Sequence, residues 1–316
     1  MPATDIPAAV ERFTAPDGVA IGARRTGHGP PLVLVHGSAA DGSRWAPVVP
    51  ALAERFTVYA IDRRGRGTSG DGDAYSIARE YDDVAAVIES LPEPAVLVGH
   101  SYGALIAPEA ALRTANLAAL VLYEPPFPVG LPIYEPQVVA RLEALLAAGR
   151  RDELLTTFMR EVPRVPETHI ATMQQQDTWP ARRAAAHTIP RELRAVNDLP
   201  GDVGQRFAGL KVPTLLLVGS QSAPFLTEPS RILAESLPDA KVAVFEGHAH
   251  SAMDTATAEF VERVAGFATA SLPGTSGPAV SAPAPATPRP RSPRAGRAAL
   301  ARASGGSPGN RRSVAS

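Results

Sequence analysis

Residues 95–107 read Ala-Val-Leu-Val-Gly-His-Ser-Tyr-Gly-Ala-Leu-Ile-Ala, and the way this stretch folds decides how the rest of the chain is arranged. Val96, Leu97 and Val98 form a short apolar β-type run, Gly99-His100-Ser101-Tyr102-Gly103 interrupts it, and small apolar residues of helical character follow. Strand, turn and helix in that order fit Gly-x-Ser-x-Gly, in which a serine occupies a tight, strained corner and projects its hydroxyl from the carboxyl end of a sheet. Small residues flank the corner because Cβ atoms there collide as strand and helix close on each other. The corner also sets Ser101 at the amino end of a helix, where free N–H groups and the helix dipole favour negative charge, and it aims the Tyr102 N–H at a developing oxyanion. Ser101 is therefore the candidate nucleophile.

A chain of 316 residues, 45% hydrophobic and 20% charged, has the composition of a globular protein with a large core. It contains no cysteine, which rules out disulfides and thiolate metal ligands. No apolar run approaches the ~20 residues needed to span a bilayer. The first ten residues lack a basic start followed by a long apolar segment, so a cytoplasmic location without membrane attachment is expected. The net charge of −1 hides a division: seven arginines and no acid lie in 271–316, leaving 24 basic against 32 acidic residues before them. That segment of Pro, Ala, Ser, Gly and Arg has too little apolar bulk to offset the entropy of ordering and is expected to be a disordered tail. No aromatic residue accompanies its arginines to stack on bases, so nucleic acid is not an expected partner.

Working outward from the serine turn, residues 13–25 predict two short strands joined at Pro16-Asp17-Gly18. Leu32-Val33-Leu34-Val35 and Thr57-Val58-Tyr59-Ala60-Ile61 are continuous apolar runs, the mark of strands buried on both faces. His36-Gly37-Ser38 follows the first of them, with His36 expected to brace its loop. Asp62-Arg63-Arg64-Gly65-Arg66-Gly67-Thr68-Ser69-Gly70 follows the second; it does not match a phosphate-binding loop and is expected to be structural, held by pairing of Asp62 with its arginines. Residues 76–90 carry Ile77, Tyr81, Val84, Val87 and Ile88 at helical spacing. Strands are expected at 117–123, 214–218 and 242–245, with helices at 230–237 and 258–268. Between 127 and 208 no strand pattern occurs, and short helices at 137–148, 151–161, 167–176 and 181–186 are punctuated by prolines.

In order and spacing, His36-Gly37, the Asp62–Ser69 motif and Gly99-His100-Ser101-Tyr102-Gly103 resemble the α/β-hydrolase superfamily over roughly residues 13–270. The resemblance implies an α/β fold: a doubly wound, mostly parallel eight-stranded sheet with an inserted helical cap. It implies a core at 1–126 and 209–270, and a cap or lid at 127–208 whose Phe127, Tyr134, Phe158, Met159 and Trp179 line the substrate pocket. The Ser38 N–H becomes the second oxyanion donor beside that of Tyr102.

A serine hydroxyl needs a neutral imidazole to take its proton. His250, in Gly247-His248-Ala249-His250, stands where the family places its base, with His248 in reserve. The usual acid position after the strand at 214–218 reads Gly219-Ser220-Gln221-Ser222-Ala223-Pro224, without a carboxylate before Glu228. Some family members carry the acid at the end of the preceding strand, which here is Glu124. The expected triad is Ser101, His250 and Glu124, with Glu228 or another carboxylate, or no acid at all, as alternatives. The expected activity is serine hydrolysis of an ester, thioester or lactone through an acyl-enzyme, on a small-molecule substrate, by a monomer or homodimer, with no metal or organic cofactor. A carbon–carbon bond hydrolase, a cofactor-free perhydrolase and a non-catalytic ligand-binding protein are the alternatives.

Overall fold

In the computed structural model, which describes residues 9–130 and 133–272, the apolar runs become the strands of one sheet. These are β1 (Ala9–Thr14), β2 (Ala20–Thr26), β3 (Pro31–Val35), β4 (Thr57–Ile61), β5 (Ala95–His100), β6 (Leu117–Tyr123), β7 (Thr214–Gly219) and β8 (Ala240–Phe245). Their spatial order is β1-β2-β4-β3-β5-β6-β7-β8. β1 and β2 pair antiparallel with each other, β2 pairs antiparallel with β4, and all remaining pairs are parallel. The α/β, doubly wound, mostly parallel eight-stranded sheet is therefore present as expected. Burial follows composition: β3, β4 and β5 are buried along their whole length, whereas the edge strand β1 exposes most of its residues and β8 half.

Alternate residues of the inner strands feed two cores. Val33, Val35, Leu97, Leu120, Leu122 and Leu216 meet α2 (Ile77–Glu89) and α3 (Tyr102–Ala111) on one face. Leu32, Leu34, Val96, Val98, Val121 and Leu217 meet Leu52 of α1 (Val49–Ala53) and, near the end of the chain, Phe260 and Val264 on the other. Each such side chain contributes about 1.5–3 kcal/mol by leaving water. Between β6 and β7 lie six helices: α4 (Pro136–Ala147), α5 (Arg151–Glu161), α6 (Glu167–Met173), α7 (Trp179–Ala185), α8 (Ile189–Asn197) and α9 (Val203–Phe207). They are followed by α10 (Pro224–Ser236), α11 (Ala252–Thr255) and α12 (Thr257–Ser271). α8 was not expected, and α10 starts six residues before the expected 230. In both, a proline occupies the first helical turn, where its missing N–H costs nothing and its fixed φ favours the helix.

The described residues fall in one compact unit, Met1–Ser276, in which the six-helix insertion and the sheet share contacts. Arg63 and Arg66 pair with Glu192 of α8, Arg191 of α8 pairs with Asp71, and Arg182 of α7 donates to the Ala39 carbonyl at 3.1 Å. The insertion therefore sits against the loops that leave the carboxyl ends of β3 and β4. The tail expected after 270 lies outside the described residues from 273 onward. Among the described residues no helix is long and apolar enough to cross a membrane.

One sequence expectation is corrected at the end of β4. Asp62 does not pair with the arginines of its own loop; its buried carboxylate takes the amides of Gly42 and Thr68, each at 2.7 Å, the Thr68 hydroxyl at 2.8 Å and Arg24 at 3.0 Å. The turn leaves those amides unpaired beside Asp62, while Arg63 and Arg64 extend to Glu80 and Asp83 on α2. His36 does brace its loop: its Nδ1 donates to the Gly37 carbonyl at 2.7 Å, and its Nε2 accepts the Arg63 amide at 3.2 Å. Burial, reinforced by Arg63 and Arg66, keeps His36 well below the ordinary imidazole pKa. Burial, with His250 and Arg44 nearby, does the same for His100.

Two outcomes follow for stability. Asp62→Ala leaves Arg24 and two amides without their acceptor and should lower unfolding free energy by about 3 kcal/mol or more in urea titration. His36 and His100 stay neutral when folded but bind a proton below pH ~6.5 when unfolded, so their stability is full above that pH and is lost as pH falls. Each should cost about 1.4 kcal/mol per pH unit, and the drop in melting temperature from pH 7 to 5.5 should be shallower in His100→Asn.

Candidate active site

The serine turn forms because β5 runs straight into α3 with no intervening loop. Ser101 is held at φ 55°, ψ −123°, its amide donating to the Tyr123 carbonyl at 2.9 Å and its carbonyl accepting from Leu105 at 3.0 Å. Gly99 and Gly103 make this possible. A Cβ on Gly99 would stand 2.5 Å from the Gly103 oxygen and 2.6 Å from the Ala104 Cα, and one on Gly103 would meet the carbonyls of Val35 and His36. These are backbone atoms that cannot swing aside.

Four described non-glycine residues have positive φ, and three of them, Ala39, Ser101 and Glu124, lie in this region. Strain of this kind persists only where the surroundings impose it, and it gathers at functional sites. The Ser38 amide donates to no acceptor among the described residues. The Tyr102 amide opens α3, where a helix offers no acceptor of its own. Two free N–H groups thus accompany the serine, as an oxyanion requires.

Glu124 is fully buried immediately after β6, between the strands on either side. Its positive φ turns the side chain back over the sheet edge: Oε1 accepts the Gly219 amide at 2.7 Å, and Oε2 accepts from Nδ1 of His250. With Nδ1 as donor, Nε2 of a neutral His250 is left as an acceptor. No hydrogen bond joins Nε2 to the Ser101 hydroxyl. The His250 ring nonetheless packs beside the elbow, its centroid 4.5 Å from that of His100, the chain neighbour of Ser101.

The reserve residues lie elsewhere. Nδ1 of His248 meets the Thr255 hydroxyl at 2.8 Å, Glu228 pairs with Arg231, and Gln221 is exposed, with its amide on the His248 carbonyl. Glu228 also lines an open cleft of about 520 Å³ with Val129, Asp202 and Ile232.

Three supports were missed from sequence. The Tyr123 hydroxyl donates to the Ala249 carbonyl at 2.5 Å and accepts the Ala252 amide at 2.9 Å; Nε2 of His100 donates to the His250 carbonyl at 2.8 Å. These pin the His250 loop on both sides. Arg44 clasps Asp254 at 2.7 and 2.8 Å, tying the loop after β3 to the segment after His250. An aromatic at the end of a strand beside the acid was the available signal for Tyr123; nothing local marks Arg44.

Of the apolar residues in the insertion, Phe158, Met159 and Trp179 cluster with Ala39 of the loop after Ser38. Tyr134 packs against that cluster and also against the sheet core, its amide on Asn197 at 3.0 Å. Phe127 lies apart from them in the sheet core, its ring 5.4 Å from Phe207. Among the described residues no group of three or more His, Asp or Glu side chains is arranged to hold a metal.

Known proteins resemble this chain in sequence and fold. The model of the alpha/beta hydrolase family matches residues 32–263. The pimeloyl-[acyl-carrier protein] methyl ester esterase of Aeromonas hydrophila subsp. hydrophila is 27% identical over 257 residues, covering 79% of this chain and 99% of that protein. Among solved structures, an alpha/beta hydrolase from Sphaerobacter thermophilus aligns with a TM-score of 0.70 at 35% identity, covering 80% of this chain and 99% of the other. An esterase from Rhodococcus sp. ECU1013 aligns with a TM-score of 0.68 at 25% identity, covering 83% and 99%. With the matched segment running from β3 into α12, through every residue of the site, the chain belongs to the alpha/beta hydrolase family.

Proposed function

We propose that this hydrolase cleaves a carboxylic ester, thioester or lactone of a small to medium apolar substrate through an acyl-enzyme, with Ser101 as nucleophile, His250 as base and Glu124 as acid. The observation that carries the reading is the buried Glu124 carboxylate on Nδ1 of His250, beside a serine in a strained elbow. In this mechanism His250 Nε2 takes the hydroxyl proton as Ser101 Oγ attacks the carbonyl carbon. Glu124 stabilises the imidazolium, and the Ser38 and Tyr102 amides receive the oxyanion. His250 then protonates the leaving group, and water, activated by the same imidazole, releases the acid.

The main support for a non-catalytic reading was the missing carboxylate after β7, and Glu124 answers it from the neighbouring strand. The esterases at 27% and 25% identity favour ester substrates over other chemistries of the fold. In the same reading the helices of 127–208 form the cap. Phe158, Met159 and Trp179, clustered with Ala39, supply an apolar side for the acyl chain, with Tyr134 at its base. A small molecule is then the sole partner the reaction needs.

A fluorophosphonate probe should add one phosphonyl group to the folded protein, located at Ser101 by peptide mass spectrometry and absent in Ser101→Ala. No adduct on the folded wild type would sink the reading. Glu124→Gln keeps the shape but removes the charge, so turnover of a p-nitrophenyl ester should fall by orders of magnitude, with ~10⁴ as the upper guide. Gln221→Ala should cost far less, since that side chain faces solvent.

A further inference from the structure

The arginine-rich loop after β4 has no role in the mechanism above, yet its first arginine reaches both sources of the oxyanion donors. Arg63 is buried to its tip. Its Nε and Nη2 grip Glu80 of α2 at 2.7 and 2.8 Å, and Nη2 also donates to Glu192 of α8 at 2.8 Å. Its guanidinium lies over the Tyr102 ring, 4.3 Å from the centroid. Nη1 donates to the Gly37 carbonyl at 3.2 Å. That carbonyl already accepts from Nδ1 of His36, and Nε2 of the same imidazole accepts the Arg63 amide.

The Gly37 carbonyl and the Ser38 N–H are the two ends of one peptide group. A trans peptide is planar with its C=O and N–H opposed, so two donors fixed on the oxygen fix the direction of the N–H on the far side. A cationic donor on the oxygen also polarises the amide, which makes its N–H the stronger donor. Glu192 completes the arrangement from the insertion: its Oε1 accepts from both Arg63 and Arg66, and it is the ion-pair partner of Arg66. Without that carboxylate, Arg63 would keep Glu80 alone and the buried Arg66 would lose its ion-pair partner.

We propose that Arg63 is a positioning residue of the oxyanion hole, aiming and polarising the Gly37–Ser38 peptide, and that Glu192 of the insertion holds it in place. The inference rests on the serine-hydrolase reading. It makes docking of α8 a condition for a complete oxyanion hole, so the insertion acts on the chemical step as well as on substrate access.

The test compares wild type, Glu192→Gln, Glu192→Asp and Arg63→Lys in the full chain. The readouts are kcat and KM on p-nitrophenyl butyrate, the Ki of an alkyl trifluoromethyl ketone, and folding by circular dichroism and thermal melting. The ketone reports the oxyanion directly: Ser101 Oγ bonds to its carbonyl carbon, the hydroxyl proton passes to His250, and the broken C=O π bond leaves the negative oxygen between the two amides. Glu192→Gln and Arg63→Lys should lower kcat about 10- to 100-fold, below the full loss of one oxyanion donor. KM should stay within about threefold, the ketone Ki should rise by the same factor as kcat/KM falls, and Glu192→Asp should recover part of the loss. A merely structural role would lower melting temperature and leave kcat and Ki alone at temperatures where the variant is folded. Should Glu192→Gln not fold, Arg63→Lys, which keeps the buried charge balance, decides. Folded variants with wild-type kcat and Ki overturn the inference while leaving the serine-hydrolase reading intact; a wild type that neither turns over ester nor binds the ketone removes that reading and the inference with it.

Discussion

The first turn of α3 lies against the end of β3 with no side chain between them, and the rest of the site depends on that contact. Gly99 and Gly103 leave space only for backbone. The chain therefore passes from strand to helix in a single residue, and Ser101 takes up the mismatch as a positive φ. Moving α3 outward to admit even one methyl group would relax the serine, tilt the Tyr102 amide and open a gap to the loop after β3. The candidate nucleophile and the two proposed oxyanion donors are thus outcomes of one packing distance, fixed by the flanking cores that press helix and sheet together.

Much of this was legible because the decisive signals are local. The elbow is spelled by five consecutive residues, and the central strands are spelled by unbroken apolar runs. Glu124 was legible for a different reason: strand order made the end of β6 a neighbour of both the serine strand and β7, so the carboxylate needed no tertiary information beyond topology. What escaped notice depends on distant partners. α8 was lost because Pro190 was read as a break, and with it went Glu192, whose meaning comes from Arg63, 129 positions away. Asp62 was assigned to the arginines beside it in sequence, when the unpaired amides of Gly42 and Thr68 had the stronger claim. The family resemblance implies that Phe127 and Trp179 both line the pocket, but the two side chains go to different clusters, a division that only the packing decides.

The buried arginines show why charge content is a poor guide to partners. Three arginines among glycines look like an anion site, yet each guanidinium is already engaged by carboxylates of the chain itself. Burying such groups costs several kcal/mol per ion, which the pairing must offset. For Glu192 the outcome is visible in its acidity: burial alone would raise its pKa, but Arg63 and Arg66 outweigh that and hold it at about 2. Glu192 therefore stays ionised around neutral pH and its pairing with Arg63 and Arg66 does not change there, whereas burial pushes Asp83, the partner of Arg64, up to about 6.

The insertion leaves the sheet after β6 and returns at β7, and these strands are neighbours. Because the two strands are parallel, it leaves at the carboxyl end of β6 and returns at the amino end of β7, so to the core it is a crossover connection of adjustable length. Lengthening such a loop costs only logarithmically in entropy. On the proposed reading of this segment as a cap, substrate range can change by its wholesale replacement, without touching Ser101, Glu124 or His250. A transplanted segment would inherit the core's two buried arginines and would have to bring its own carboxylate to meet them.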